Sequence, residues 1–322
     1  MTESIVTSDE PKVTINWARL GHVYAVGNGK GGVGKTTTAA HLGALVASDG
    51  ARVLLVDLNG QGNIAQVLGF ANTSVDDKGR NLFSAVTAGV QLTPVRDVRP
   101  NLDVVPGGSY VRRIATTLAA EMGTSRDGGL LLSLADALQV IAPHYQLIII
   151  DSPPENPLLL QLALCAARWV IVPMKTDGTS RTGLRELAND IRAIRDYNPF
   201  LVLLAVFVFA SGTKSTSIRR ELNEQVAQDL GADNGLMLKS FIRQAEAVAR
   251  DIIKFGRLAH ELEQEIPNNP RHWELRRGTA RGATVVSSTA RPVAEDFAKL
   301  AEEILSRAAR KREEMIEEGV WP

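Results

Sequence analysis

Gly29-Lys-Gly-Gly-Val-Gly-Lys-Thr36 follows the short apolar run His22-Val-Tyr-Ala-Val26 and precedes a helix-like segment, 36–48. The stretch fits G-x-x-x-x-G-K-[ST] and lies where that motif has a physical use, between a strand and a helix. Gly29, Gly31, Gly32 and Gly34 let successive backbone N–H groups turn toward one oxyanion, and the helix start adds the positive end of its dipole. Lys35 can reach the outer phosphates of a nucleotide, and the Thr36 hydroxyl is a hard oxygen suited to Mg²⁺. With Lys30, Val33 and Thr37, these are the candidate nucleotide-binding residues.

Working outward, strand-like segments 52–57, 102–105, 146–151, 169–173 and 201–209 alternate with helix-like 130–141, 181–195 and 217–230. Such alternation signals a parallel sheet covered by helices. Several of the strands are apolar almost without interruption, as strands buried on both faces are. The expected fold is α/β, doubly wound, a mostly parallel sheet with helices on both faces. A chain of 322 residues allows one domain or two. The spacing favours a flexible polar leader, 1–20, and one domain, 21–322, whose C-terminal helix, 292–318, follows a Pro-, Asn-, Gly- and Arg-bearing loop.

Composition narrows the function classes. Apolar residues make up 44% and charged residues 22%, which excludes a wholly disordered chain. Lys plus Arg equals Asp plus Glu at 36 each, so any attraction to nucleic acid must come from a local patch. The longest apolar run, 200–210, is about half of what crosses a bilayer, and the leader has no apolar signal region, so a cytoplasmic location is expected. The lone Cys165 excludes an internal disulfide and any multi-thiolate site built from one chain.

Two apolar runs end in aspartate, Leu54-Leu-Val-Asp57 and Leu147-Ile-Ile-Ile-Asp151, which places both carboxylates at the sheet edge where open α/β folds bind ligands. Taken singly, a strand-end Asp more often caps a turn. Lys30 is a second cation in the loop, one the loop does not need for its own phosphates. With it, Lys30-Gly-Gly-Val-Gly-Lys-Thr-Thr37 resembles the deviant Walker A motif of the ParA/MinD family of P-loop ATPases. Val104-Val-Pro-Gly107, Asp151-Ser-Pro-Pro154, Val172-Pro-Met174 and Phe241-Ile-Arg243 follow in the family's order, so the resemblance spans roughly 20–310.

The resemblance implies the P-loop NTPase fold, ATP and Mg²⁺ as cofactors, and a catalytic set of Lys30, Lys35, Asp57 and Asp151. Lys30 would reach the partner's phosphates in a sandwich homodimer, a charge supplied in trans as an arginine finger supplies it. Thr36 and Asp151 would serve the metal, and Asp57 would position the attacking water. Asn59 and Gly60 stand where ParA proteins commonly have Asp and Pro.

Asp151-Ser-Pro-Pro154 and Gln61-Gly-Asn63 favour the ParA branch. A MinD-like anchor would be a short basic helix with bulky apolar residues on one face. Glu302, Glu303, Glu313, Glu314, Glu317 and Glu318 make this terminus acidic instead, so no membrane anchor is expected. A ParA-like chain would bind nonspecific DNA on the nucleoid as an ATP dimer. It would hydrolyse ATP when stimulated by a ParB-like centromere-binding protein, segregating a plasmid, phage or chromosome.

Candidate DNA contacts are Arg219 and Arg220, with Lys214 beside them, and Arg243, Arg250 and Lys254. Arg271, Arg276, Arg277 and Arg281 form a second basic patch. No separate helix-turn-helix domain is expected ahead of residue 23. Phe207-Val-Phe-Ala-Ser211 occupies the region where relatives often place a base-contacting Asn or Asp. The alternatives are a positioning ATPase with a membrane or protein cargo, and a metabolic P-loop enzyme.

Overall fold

The computed structural model describes residues 14–122, 129–153, 156–213, 215–230, 235–271, 274, 277 and 285–322. Eight strands form one sheet in the order β3-β4-β2-β5-β1-β6-β7-β8. They are β1 (Val23–Val26), β2 (Val53–Asp57), β3 (Val95–Arg99), β4 (Leu102–Val105), β5 (Leu147–Asp151), β6 (Trp169–Met174), β7 (Val202–Ser211) and β8 (Met237–Arg243). All neighbours run parallel except β3, which pairs antiparallel with β4. The core strands β1, β2, β5 and β6 are buried along their whole length, as their unbroken apolar runs require.

Alternate residues of β2 feed two hydrophobic layers, Leu54 and Val56 on one face and Val53 and Leu55 on the other. On the Val53 face lie α1 (Lys35–Ser48), α2 (Asn63–Val67), α9 (Glu246–Phe255), α10 (Ala259–Glu265) and the terminal α11 (Ala290–Glu317). The opposite face carries α3 (Arg80–Ala88), α4 (Val111–Met122), α5 (Ser133–Ile141), α6 (Pro157–Ala166), α7 (Gly178–Ala193) and α8 (Thr216–Leu230). Helix α11 seats Phe297, Leu300 and Ile304 in the core, and Cys165 is buried in α6. The burial around Cys165 pushes its thiol up to about 12, which keeps it protonated and inert at neutral pH.

Both edge strands escape the apolar pattern. Val95–Arg99 reads VRDVR because an edge strand needs no second apolar face, and its Arg96 is held by the buried Asp103 at 2.6 Å. Strand β8 carries Lys239 and Ser240, whose backbone N–H groups donate to Glu303 of α11. The N-terminal boundary also differs, since Trp17–Leu20 form a 3-10 turn whose Leu20 is buried, inside the segment expected to be leader. Residues 1–13 lie outside the described residues.

His41 ties the nucleotide-side helix to the terminal layer. Its Nδ1 donates to the Thr37 carbonyl at 2.7 Å, its Nε2 accepts from the Ala259 N–H at 3.0 Å, and its ring stacks on Phe297 at 3.8 Å. Full burial holds its pKa down to about 3, against an ordinary 6.5. The unfolded chain therefore binds more protons as pH falls from 6.5 toward 3, and stability is lost across that window. The loss is on the order of 4 kcal/mol, with His260, also lowered by burial, adding in the same sense. Urea melts between pH 7 and 4 are expected to show a shallower decline in His41→Leu than in the parent, and equal slopes would contradict this.

Candidate nucleotide site

The loop 27–34 leaves β1 at the carboxyl end of the sheet and turns into α1 at Lys35. Gly34 has φ of 88°, and a Cβ there would overlap the Phe209 ring, so both backbone conformation and space favour glycine. The first N–H groups of α1 have no helical acceptors and face the loop, which makes this end an anion site. A cleft of about 280 Å³ opens there, bounded by Gly32, Lys35 and Thr36 on one side and by Asn59, Asn63 and Gln66 on the other. Lys35 is 5% exposed and donates to the carbonyls of Asn28 (2.9 Å) and Lys30 (2.7 Å), which draws its ammonium into the loop.

Parallel pairing of β2 with β5 sets Asp57 and Asp151 side by side, both fully buried. The Thr36 hydroxyl donates to Asp151 Oδ2 at 2.6 Å, while Oδ1 is buried with no partner among the described residues. Burial pushes Asp151 up to about 7, against the pull of Thr36 and Lys35, and burial followed by the Asp151 charge raises Asp57 well above the carboxylate range. Two adjacent buried carboxyls, one with an orphaned oxygen beside a hydroxyl, are a donor set for a hard cation, so the residues fit Mg²⁺.

Asp57 has a different immediate role. Its Oδ1 accepts from the Asn59 N–H at 2.8 Å and its Oδ2 from the Ile64 N–H at 3.0 Å, so both oxygens pin the loop 58–64. Gly107 presses against that carboxyl, where an added Cβ would lie 2.6 Å from Cγ, which explains the glycine in Val104-Val-Pro-Gly107. Asn59 Oδ1 accepts from the Gln61 N–H at 2.9 Å, closing an Asx turn. The Arg112 stem lies over Gly60, 2.6 Å from where a Cβ would stand, so packing restrains the position that relatives commonly give to proline.

Lys30 lies apart from these groups, its Nζ 3.0 and 3.1 Å from the two oxygens of Asp177. The backbone N–H of Lys30 donates to Asn28 Oδ1 at 2.9 Å, and Asn28 Nδ2 donates to the Pro173 carbonyl at 2.8 Å. Asn28 thereby fastens the loop to the end of β6. Sequence reasoning missed it and Gln66, and read Asn59 and Asn63 only as motif positions, because nothing in a lone Asn or Gln marks it as lining a cleft.

Beside the phosphate end, a second cleft of about 430 Å³ is walled by Phe209, Val248, Ile252 and Phe297, with Gln244 and Glu246 at its polar edge. Its apolar walls and few polar groups suit a purine base. Phe207 instead points into the core and is fully buried.

The basic residues divide. Arg250 and Lys254 are exposed one turn apart on α9, and Arg220 is exposed on α8. Arg219 stacks on Phe241 at 3.9 Å and donates to the Gly212 carbonyl at 2.9 Å. Arg243 does not belong with the candidate DNA contacts, since its guanidinium grips Asp296 through two hydrogen bonds of 2.6 and 2.7 Å, and its backbone N–H donates to the same carboxylate. Asp296 is nearly buried and needs that counter-charge, so a carboxylate at 243 would break the fold of this corner before it tested any DNA contact. Arg271 and Arg277 are exposed, while Lys214, Arg276 and Arg281 lie outside the described residues.

A family model described as an AAA domain matches residues 21–203. The chain is 34% identical over 216 residues to a chromosome partitioning protein ParA of Caulobacter vibrioides, an alignment covering 66% of this chain and 76% of that protein. Among solved structures, a plasmid partition protein of Borrelia burgdorferi bound to AMPPNP superposes with a TM-score of 0.62 at 20% identity, over 90% of this chain and 98% of that one. A cobyrinic acid a,c-diamide synthase of Mycobacterium smegmatis with bound ADP and magnesium gives 0.58 at 28% identity, over 73% and 92%. The family model's match spans the phosphate loop and both strand-end aspartates.

Proposed function

The chain belongs to the ParA family of P-loop partitioning ATPases, and on that premise we propose that it binds Mg²⁺-ATP, dimerises on it and hydrolyses it to time release from DNA. The observation that carries this reading is the cluster at the end of β1, β2 and β5. Lys35 and the α1 N-terminus form a phosphate cradle, and the Thr36–Asp151 pair with its unpartnered Oδ1 stands beside it. Thr36 and Asp151 would hold magnesium, which when bound would add positive charge where negative charge develops on the phosphates. Asp57 would act on hydrolysis by fixing the loop that carries Asn59 and Asn63 across from the phosphate end.

Lys30 would leave Asp177 and place its ammonium on the nucleotide of a second copy. An exposed ion pair of that kind is worth under about 1 kcal/mol, so the exchange is energetically easy. The dimer would bind nonspecific DNA through Arg250, Lys254 and Arg220, and a ParB-like partner would stimulate turnover. The protein would then be nucleoid-associated. No helix among the described residues is long and apolar enough to cross a membrane.

Binding to a random duplex, followed by anisotropy, tests the DNA step. Affinity is expected with ATP and not with ADP, falling steeply with salt because phosphate contacts release counterions. The Arg250→Glu/Lys254→Glu pair is expected to weaken DNA binding about tenfold or more and flatten its salt dependence, with ATP affinity unchanged. Unaltered DNA binding in that variant would move the interface off α9.

A further inference from the structure

Arg168 immediately precedes β6, at the end of the sheet opposite the phosphate loop, and is only 3% exposed. A guanidinium buried to that degree is ordinarily met by a carboxylate. None among the described residues pairs with it. Its Nη1 donates to the Phe200 carbonyl, its Nη2 meets only the weak acceptor Sδ of Met315 at 3.0 Å, and its Nε is buried without a partner. Burial alone draws its pKa down to about 10.

Aromatic rings carry part of the load. The Arg168 guanidinium lies 4.4 Å from the Trp321 ring, 5.3 Å from Trp169 and 5.8 Å from Phe200. The Arg312 guanidinium also lies 5.3 Å from the Trp321 ring, so the neighbourhood gains a cation instead of an anion. Phe200 and Met315, the two groups that hold the guanidinium, also line a cavity of about 500 Å³. Ile191, Leu203 and Val320 make its wall apolar, and among the described residues the only other charged side chain lining it is Arg195, whose Nη1 is engaged by the carbonyls of Pro199 and Leu201.

We propose that this cavity is a binding site for a small amphipathic monocarboxylate, with its carboxylate on Arg168 and its hydrocarbon body along Ile191, Leu203 and Val320. The guanidinium fork matches a carboxylate in geometry, and one uncompensated buried cation calls for one negative charge. The volume is that of a small-ligand pocket. Keeping an unpaired arginine where an apolar residue would be more stable is what a binding site, and not a core, requires.

Three of the four tryptophans report on the site: Trp169 and Trp321 contact Arg168, and Trp17 lies 5.9 Å from Phe200. Titration of the full chain with octanoate is expected to give a saturable change in tryptophan emission. Octanol and octyltrimethylammonium should give none. Arg168→Met should melt at a higher temperature yet bind octanoate at least about tenfold more weakly, the effect of losing a charged hydrogen-bond partner. Leu203→Trp, which fills the cavity and keeps the arginine, should also lose binding, so the test stands if Arg168→Met fails to fold. Octanol binding as well as octanoate, or octanoate binding retained in either variant, would overturn the site. Octyl phosphate outcompeting octanoate would overturn the monocarboxylate assignment.

Discussion

Lys30→Ala is expected to lower ATP turnover by about a thousandfold while leaving ATP affinity within a few-fold of the parent, the magnitude seen when a cation supplied in trans to a transferring phosphoryl group is removed. The reason lies in what Lys30 does not touch. In one chain its ammonium sits on Asp177, 3.0 Å away, while Lys35 is the lysine drawn into the loop. A residue that acts on the nucleotide of the second copy, and not on its own, should affect turnover and dimerisation, and spare the binding of nucleotide by the monomer. Stopped-flow binding of a fluorescent ATP analogue beside steady-state phosphate release separates the two. Parental turnover in Lys30→Ala would end the trans-lysine account.

Lys35→Ala should do the reverse and weaken ATP binding itself by on the order of a hundredfold, because a buried charge-assisted contact to phosphate is lost. The substitution removes an ammonium held by two backbone carbonyls and takes from Asp151 the pull of a nearby cation, but Asp151 keeps its Thr36 hydrogen bond and burial already favours its protonated form, so the fold should survive. Equilibrium dialysis with ATP gives the readout. Affinity within threefold of the parent would mean that the loop and helix N-terminus hold the phosphates without that lysine.

How much of this was legible in the sequence follows from which elements are buried on both faces. The apolar strands β1, β2, β5 and β6, and the glycine turn between β1 and α1, could be read directly, since each demands residues that suit little else. Asp57 and Asp151 were placed correctly at one edge, and their pairing in register is a consequence of β2 lying beside β5. The edge strands β3 and β8 could not be read, because half of each faces solvent or α11 and carries charge.

Arg243 misled for a related reason: a basic residue at a strand end looks like a surface cation until Asp296 arrives from 53 positions away. Arg168 was silent in the sequence because an arginine is ordinarily exposed, and its burial comes from Trp169, Phe200, Met315 and Trp321 packing around it. Asp57 caps its turn through both carboxyl oxygens, one of the two readings its sequence allows, and stands beside Asp151 in register.

The central claim is that ATP, and not ADP, joins two copies of this chain through the phosphate loops. Sedimentation velocity of the parent and of Asp57→Ala, each with Mg²⁺ and either ATP or ADP, measures it directly. The account predicts monomers with ADP, a dimer with ATP, and a longer-lived ATP dimer in Asp57→Ala, whose loop 58–64 has lost its anchor. Steady ATP turnover by a chain that stays monomeric with both nucleotides would contradict it and favour a metabolic P-loop enzyme.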